Sequence, residues 1–457
     1  MTGIILTADI GTSSLKAAFI DLNGNLHAFT RIAYEPDSGG NTGAGVWKRA
    51  FANSLEDLFR QAPACVIDGI CISGNGPTLV PTTIEGDTLT PLYWFDDKTT
   101  QAASSASGVT SSFFLPHAAW LKKNAFHFYE ETKFFVSSHE WLALMLGAPP
   151  LTVLPSKAYE PYYWDDEQCR LFDVNREKFP PFITMGEIMG HVSNNASAFF
   201  SSFSGNRLKS GTPIIAGGPD FITAMIGTGT KNPGDVCDRA GSSEGINVCS
   251  AAPVSGKGFR LLPHAVEGLW NIGIVLNSSG RLFESYRNHT GLQDISYDKL
   301  LGDLIPSPRD TDIFEGDFFF PNSQFPISCS PIELGRAVLC AIGFSVRSAL
   351  ITLKDLGFPV NVMRLSGGQS KSERWNQLKA DITGVSLMVP EISDGELAGN
   401  AVLAALALDG KPVCEKTAFE NTVNRMIRFR EIYEPVKNTS SFWENRYGLF
   451  RANEPHT

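Results

Sequence analysis

The sequence predicts an α/β fold made of two similar domains, and two observations support this prediction. Residues 4–21 and residues 235–248 each contain two β-rich runs joined by a turn of glycine and hydroxyl residues. The chain has 457 residues, which is more than one hydrophobic core usually supports and corresponds to two domains of about 200 residues each. The repeat and the length together favour a two-domain protein.

The two turns are candidate phosphate-binding sites. Residues 11–13 read Gly-Thr-Ser and residues 241–243 read Gly-Ser-Ser, and Asp9 stands just before the first turn. Glycine admits the positive φ that a tight hairpin needs, and successive backbone N–H groups with adjacent hydroxyls form a concavity suited to phosphate. One such turn alone is more often structural. Its recurrence, with Asp9 beside the first copy, favours two domains that clasp one polyphosphate.

Composition excludes several classes of partner. The formal net charge is −10 and no basic run offsets it, so we expect neither nucleic acid nor an anionic membrane as a partner. The eight cysteines are scattered without a Cys-x-x-Cys pair, which favours reduced core thiols over a zinc site or a disulfide framework. The chain enters a strand without a leader-like segment, and no apolar run reaches about 18 residues. These features predict a cytoplasmic protein.

The first half alternates strands and helices. Residues 4–32 predict three antiparallel strands, residues 46–60 a helix, and residues 66–73 a buried strand. That strand ends at residues 74–77, where the chain can approach a ligand closely. Trp94 and Asp96 stand in a stretch of aromatic and acidic residues that suits a sugar, although a solvated loop end fits it equally well.

Asp220 is the candidate general base of this half. Residues 213–227 predict a strand, a glycine turn and a helix, with Asp220 at or near the start of the helix. An aspartate at this position can cap the helix, or it can accept a proton at the mouth of a ligand site. Both roles stay open from the residues alone.

The second half contains a further strand–glycine–helix unit. Ser330, Pro331 and Glu333 give a serine cap, a proline at the first helical position and a glutamate at the third. Residues 360–365 then predict a strand, residues 366–369 a glycine turn and residues 371–383 a helix. Amides at such a helix start can meet phosphate, so the turn is a candidate nucleotide site.

These stretches resemble the FGGY carbohydrate kinases, near the xylulokinase-like branch, over essentially the whole chain. The matching residues are 9–16, 217–220, 240–243, 365–368 with Trp375, 396–401 and 433–435. The resemblance implies two ribonuclease H-like (actin-like ATPase) domains with a cleft between them. Residues 1–231 would form the N-terminal domain, with the sugar and the catalytic base, and residues 232–457 the C-terminal, nucleotide-binding domain.

The resemblance also implies roles for individual residues. Asp220 falls on the family's catalytic base, and Asp9 on the aspartate that handles metal and phosphate. The predicted ATP-binding residues are Gly11, Thr12, Ser13, Lys16, Gly241, Ser242, Ser243, Gly367, Gly368, Gln369 and Ser372. The predicted substrate-binding residues are Asn75, Trp94, Asp96, Asp220 and Phe221. The implied cofactors are ATP and Mg²⁺, the implied partner is a small sugar or polyol, and a homodimer is a family expectation.

Three stretches depart from the xylulokinase pattern. Residues 75–77 replace a Gln-Met-His-Gly-like stretch, Phe221 replaces an asparagine, and residues 318–326 replace a Gly-Glu-Arg-Thr-Pro-like segment. The first interpretation is therefore an ATP-dependent kinase for a small sugar or polyol whose identity the sequence leaves open. The alternatives are a non-catalytic sugar or nucleotide sensor and an actin-like ATPase or chaperone, and the latter would need an extension that the sequence does not show.

Overall fold

A computed structural model describes residues 3–35, 44–83, the backbone of 92–93, and residues 112–241, 244–276, 279–307, 311–321, 324–325 and 329–453. The strands in these ranges are β1 Ile4–Ile10, β2 Ser14–Asp21, β3 Leu26–Ala33, β4 Ile67–Gly74, β5 Thr78–Thr82, β6 Leu92–Tyr93, β7 Phe134–Val136, β8 Thr152–Leu154, β9 Phe182–Thr184, β10 Ile188–His191, β11 Pro213–Pro219, β12 Val236–Ala240, β13 Glu244–Ser250, β14 Arg260–Pro263, β15 Trp270–Leu276, β16 Val362–Ser366, β17 Ser386–Pro390 and β18 Phe429–Tyr433. The α-helices are α1 Ala44–Gln61, α2 Leu115–Asn124, α3 Phe126–Glu131, α4 Ser138–Leu146, α5 Asp166–Leu171, α6 Asn194–Phe199, α7 Ser201–Ser204, α8 Asp220–Gly227, α9 Ser279–Thr290, α10 Tyr297–Leu304, α11 Pro331–Asp355, α12 Glu373–Thr383, α13 Gly395–Leu408, α14 Lys416–Met426 and α15 Ser440–Ala452.

The chain forms two compact units, and neither is a single continuous segment. The first unit consists of residues 1–229, 263–268 and 395–427, and the second of residues 230–262, 269–394 and 428–457. The segment 395–427, which carries α13 and α14, therefore packs with the beginning of the chain. The domain division at residue 231 and the domain roles remain predictions.

The first unit is built on a six-stranded mixed sheet. Its strand order is β10-β11-β4-β1-β2-β3. The first three strands of the chain form an antiparallel meander, as predicted from residues 4–32. β4 runs parallel to both β1 and β11. The carboxyl ends of these three parallel strands therefore meet at one edge of the sheet.

Helix α13 packs on this unit at unusually close range. A Cβ atom on Gly399 would overlap the carbonyl of Thr223 in α8, and one on Gly227 would overlap the carbonyl of Gly395. Glycine is needed at both positions because the two helix backbones touch there. The run of small residues near 400 is thus explained by helix packing.

The second unit is built on a seven-stranded sheet. Its order is β14-β15-β13-β12-β16-β17-β18. β12 and β13 form the second predicted hairpin, and β12 runs parallel to β16. The turn after β12 and the turn after β16 therefore lie at the same edge of this sheet.

The long helix α11 forms the core of the second unit. Ser330 and Glu333 make the predicted capping box, with proline at the first helical position. Within the described ranges this is the one helix with the length and apolar character to cross a bilayer. Its apolar residues Val338 and Phe344 are instead buried in a cluster with Trp443 and Phe450. Packing in the core accounts for its composition.

Candidate active site

The carboxyl edge of the first sheet brings three predicted site residues together. Asp9 is near the end of β1, Asn75 directly follows β4, and Asp220 directly follows β11. The strand registers align Ile10 with Gly74 and Gly74 with Pro219. Ligands of open α/β sheets bind at the carboxyl ends of the strands. The structure therefore gathers the proposed base, the proposed metal-binding carboxylate and one proposed sugar-binding residue at one edge.

Asp9 is oriented by a buried hydrogen-bond chain. Its side chain is almost fully buried, at 3% exposure. The hydroxyl of Ser73 donates to Asp9 Oδ1 at 2.8 Å, and Asn400 Nδ2 donates to Ser73 Oγ at 2.9 Å and to the carbonyl of Ala8 at 3.0 Å. The orientation of Asp9 thus depends on a residue that follows it by almost four hundred positions.

Lys16 lies between two carboxylates. Its Nζ atom is 3.8 Å from Asp9 Oδ2 and 3.4 Å from Glu396 Oε2. Burial raises the pKa of Asp9 to about 7; the charge of Lys16 opposes this, and the Glu396 and Asp220 carboxylates add to it. The sequence predicted Asp9 and Lys16 as site residues but assigned no role to Glu396. The only sequence signal for Glu396 was its position in residues 396–401, one of the stretches that resemble the FGGY carbohydrate kinases.

Asp220 is the first residue of α8, and Pro219 occupies the cap position. The capping interpretation of Asp220 is therefore wrong, because the cap residue precedes it. A carboxylate in the first turn of a helix is stabilised by the helix dipole. Asp220 is partly exposed, and it is close enough to Asp9 to raise the pKa of that residue. Its position allows contact with a ligand at the sheet edge.

Asn75 has an unused donor at this edge. Its side chain is 3% exposed, and its Oδ1 atom accepts from Thr78 Oγ1 at 3.4 Å and from Ser138 Oγ at 3.2 Å. Within the part of the chain that the structure describes, its Nδ2 atom has no hydrogen-bond partner. Buried amide donors are normally paired, so a ligand oxygen would complete this residue.

The remaining predicted sugar-binding residues are Phe221, Trp94 and Asp96. Phe221, the second residue of α8, is partly exposed beside Asp220. Trp94 and Asp96 lie outside the described residues. Their predicted contacts with the sugar remain predictions.

The first predicted phosphate turn is a tight, exposed hairpin end. Gly11 N donates to the carbonyl of Ser14 at 3.1 Å, and Tyr34 N donates to the carbonyl of Ser13 at 2.9 Å. Thr12 and Ser13 are exposed. Two backbone contacts therefore fix the turn while its hydroxyl residues face outward.

In the second unit, the two glycine turns are adjacent. Gly241 follows β12 and Gly367 follows β16, and these strands are parallel neighbours. Gly367 has a φ of 93°, and a Cβ atom there would overlap the carbonyl of Ala240. Only glycine fits this approach. Ser242 and Ser243 lie outside the described residues.

Gln369 joins these two turns through its amide. Its Nε2 atom donates to the carbonyl of Gly241 at 3.3 Å and to Ser279 Oγ at 2.8 Å. Its Oε1 atom accepts from Trp375 Nε1 at 3.0 Å. Ser372 caps α12 by accepting from the backbone N–H of Trp375, whereas Gly368 is exposed. The side chains of Gln369 and Ser372 thus have structural partners, and their contact with ATP remains a prediction.

Residues 318–320, which depart from the xylulokinase pattern, are part of the hydrophobic core. The rings of Phe318 and Phe320 lie 5.9 and 5.1 Å from that of Phe450, and Phe319 stacks on Phe325 at 5.0 Å. The side chains of this stretch therefore contribute to packing of the second unit.

Comparison with known proteins identifies the family of this chain, which is one of phosphotransferases. The model for the N-terminal domain of the FGGY family of carbohydrate kinases matches residues 4–227, and the model for the C-terminal domain matches residues 315–408. The chain belongs to the FGGY family of carbohydrate kinases, enzymes that phosphorylate sugars with ATP. The sequence-based family and fold predictions are confirmed.

Several named relatives align over nearly the whole chain. A xylulose kinase of Staphylococcus epidermidis is 22% identical over 493 residues, covering 98% of this chain and 96% of that protein. An autoinducer-2 kinase of Salmonella typhimurium is 22% identical, covering 94% and 90%. A solved gluconate kinase of Lactobacillus acidophilus superposes with a TM-score of 0.78 at 17% identity, covering 99% and 97%. The two domain models establish the family, and at 17% identity the solved structure shows the fold alone. These proteins differ in the substrates that they are named for.

Proposed function

We propose that the chain phosphorylates one hydroxyl of a small sugar or polyol of the pentulose or ketose type, with Asp220 as the general base. The observation that supports this most is the placement of Asp9, Asn75 and Asp220 after three neighbouring parallel strands. One edge then offers a proton acceptor in Asp220, a carboxylate in Asp9 that can bind the metal ion of a nucleotide, and in Asn75 an amide donor that has no partner among the described residues. A kinase for a hydroxylated substrate needs these three functions together.

In this proposal Asp220 acts during in-line transfer. The sugar oxygen forms a bond to the γ-phosphorus while the bond from that phosphorus to the β–γ bridging oxygen of ATP breaks. The hydroxyl proton passes to the carboxylate of Asp220, and ADP leaves with the bridging oxygen. Asn75 Nδ2 would donate to a sugar oxygen and fix the orientation of the substrate. Phe221 would contact a less polar face of the substrate.

The residues around Asp9 fit Mg²⁺ that ATP brings with it. Among the described residues no group of three or more His, Cys, Asp or Glu side chains could form a protein metal cage. Mg²⁺ in phosphate-transfer enzymes is typically held by one or two carboxylates, with phosphates and water completing its shell. Asp9 would supply such a carboxylate, and Glu396 is its acidic neighbour across Lys16. The ion would neutralise charge on the phosphates, and Lys16 would add a second positive charge.

The nucleotide-binding groups are assigned to both units. In the first unit the amides and hydroxyls of residues 11–13 would contact phosphate. In the second unit the turn at Gly241 would contact phosphate, and the turn of residues 367–369 would receive the adenosine. Because ATP is abundant in the cytoplasm, we also propose that the enzyme acts there.

The first test measures ADP release by a coupled assay over a panel of ketoses, aldoses, sugar acids and polyols. We expect turnover on one substrate class, and a loss of more than about a hundredfold in kcat for Asp220→Ala, since general-base catalysis contributes about 10²–10⁴-fold. Asp166→Ala is the matched control, because Asp166 is an exposed carboxylate in the first turn of α5. It should leave kcat unchanged.

Two outcomes would contradict this proposal. Full activity of Asp220→Ala would show that another group accepts the proton. ATP binding without any phosphorylated product across the panel would favour the non-catalytic sensor.

A further inference from the structure

Three buried ionisable groups lie beneath the second glycine turn. Lys379 of α12 is 1% exposed, and its Nζ atom is 2.7 Å from Asp238 Oδ2 and 2.6 Å from Glu244 Oε1. Asp238 belongs to β12 and Glu244 to β13, the two arms of the hairpin that contains Gly241. One lysine of a neighbouring helix therefore binds both arms next to their turn.

A gain in the stability of the fold is a poor explanation for this cluster of buried ionisable groups. Burying charges has a large desolvation cost, and apolar residues of similar volume often give equal or greater stability. Burial and the neighbouring Glu244 raise the pKa of Asp238 well above its usual range. Burial also acts to raise the pKa of Glu244, but the charge of Lys379 and hydrogen bonds overcome this and lower it. The cluster thus holds one ammonium group within 2.7 Å of two carboxyl groups on neighbouring strands, an arrangement that fixes geometry.

The cluster continues outward to the nucleotide turns. Ser279 Oγ donates to Glu244 Oε2 and accepts from Gln369 Nε2 at 2.8 Å. Gln369 in turn reaches the carbonyl of Gly241 and is held by Trp375. Trp375 and Lys379 are four residues apart on the same helix, with the ammonium 5.4 Å from the centre of the indole ring. A continuous set of contacts thus links the buried Lys379 and Glu244 to the turn at Gly241 and to the turn at residues 367–369.

We propose that Lys379, Glu244 and Ser279 are positioning residues for the nucleotide, which set the spacing between the turn at Gly241 and the turn at residues 367–369. The inference rests on the proposed assignment of these two turns to ATP. Ser279 is the decisive member, because it is the direct link from the buried carboxylate to Gln369. Cutting this link should impair ATP binding and leave sugar binding unchanged.

The experiment compares Ser279→Ala and Lys379→Met with two matched controls in the same unit. Ser345→Ala removes a hydroxyl that bonds only to the carbonyl of Ala341 among the contacts described. Asp381→Asn changes a buried carboxyl on the same helix as Lys379 that accepts from the backbone of Val436. The readouts are KM for ATP, KM for sugar, the affinity for ADP measured by calorimetry without sugar, and Tm.

We expect Ser279→Ala to raise KM for ATP and weaken ADP binding by about fivefold or more, the size of one lost hydrogen bond. KM for sugar should stay within about twofold. Lys379→Met should weaken ATP and ADP binding by a larger factor, again with KM for sugar within about twofold. Both controls should bind ADP like the wild type. If Lys379→Met fails to fold, Ser279→Ala alone decides the question.

The proposal is overturned if Ser279→Ala lowers Tm while ADP binding and KM for ATP stay at the wild-type values. It is also overturned if KM for sugar rises as much as KM for ATP. Failure of the proposed function would look different, since a wild type that binds ADP but phosphorylates no substrate still allows the calorimetric comparison.

Discussion

At the scale of single residues, Asp9 shows how a local motif depends on distant contacts. The carboxylate at the end of β1 was visible in the sequence because it precedes a glycine–hydroxyl turn. Asn400 reaches Asp9 through Ser73, and Glu396 reaches it through Lys16. These two contacts were not predicted, because both residues follow Asp9 by nearly the whole chain and no motif spacing connects them to it. Long-range side-chain contacts depend on the tertiary fold, so local patterns do not encode them.

We expect Asn400→Leu to reduce both stability and activity. The substitution keeps the branched shape of the side chain but removes the donor to Ser73 and to the carbonyl of Ala8, which should lower the free energy of unfolding by about 1–3 kcal/mol. Because Ser73 then no longer holds Asp9 in place, kcat should also fall. The measurements are urea unfolding and steady-state kinetics.

The control for this prediction is Thr228→Val, which removes a buried hydroxyl bonded to the carbonyl of Met225. It should reduce stability and leave kcat unaffected. Equal losses of kcat in both variants would argue against the positioning of Asp9 by Asn400.

Asp381 should make stability depend on pH. Burial raises the pKa of Asp381 to about 6 from 3.8, against hydrogen bonds from Val436 and Gln377 that lower it. The folded protein therefore binds more protons than the unfolded chain between pH 4 and 6, so stability from this group is full at low pH and declines as pH rises through that window. We expect the free energy of unfolding of Asp381→Asn relative to the wild type to increase by on the order of 1 kcal/mol from pH 4 to pH 7.

Urea unfolding at both pH values checks this expectation, with Asp298→Asn as the exposed control. A difference between Asp381→Asn and the wild type that does not change with pH would show that Asp381 ionises normally in the folded protein.

At the scale of elements, the contact between α8 and α13 combines packing with site geometry. α8 begins with Asp220, and α13 contains Glu396 and Asn400. The glycines at their contact let the two backbones touch, which fixes the start of α8 against α13. The family resemblance included residues 396–401, but the packing partner of this helix was not predicted, because small residues do not specify what they pack against.

Gly399→Ala should destabilise the protein although alanine favours helices. The added Cβ would overlap the carbonyl of Thr223, and forcing two packed elements apart costs about 1–3 kcal/mol. Gly302→Ala is the matched control, since Gly302 lies in α10 with no described atom within 4 Å of an added Cβ. It should raise stability by up to about 1 kcal/mol. Thermal unfolding of both variants gives the comparison, and a stabilised Gly399→Ala would show that the helices can separate freely.

Other elements were predicted well for a physical reason. The start of α11 at Ser330 and Pro331 was correct because its capping signal is entirely local. Helix α4 also carries local signals, since it has a capping box of Ser137 and Glu140 and an end at Gly147 with a φ of 115°. The family resemblance assigned Gln369 and Ser372 to ATP. The structure gives both side chains protein partners, and their contact with ATP stays a prediction.

At the scale of the whole molecule, the repeated hairpins predicted two similar halves, and each unit contains one of these two hairpins within a mixed sheet. The return of residues 395–427 to the first unit was not predicted. The segment contains one apolar helix and one helix with several charged and polar residues, and nothing local to it identifies the sheet on which it packs.

This discontinuity has a consequence for how the protein is made. A ribosome releases the chain from its N-terminus, so β1, β4 and β11 emerge long before α13. The buried edge around Asp9 lacks Asn400 and Glu396 until nearly the entire chain has been synthesised, and contacts with such sequence separation form slowly. The proposed active site can therefore be completed only as one of the last events of biosynthesis, so we expect incomplete chains to lack the proposed activity.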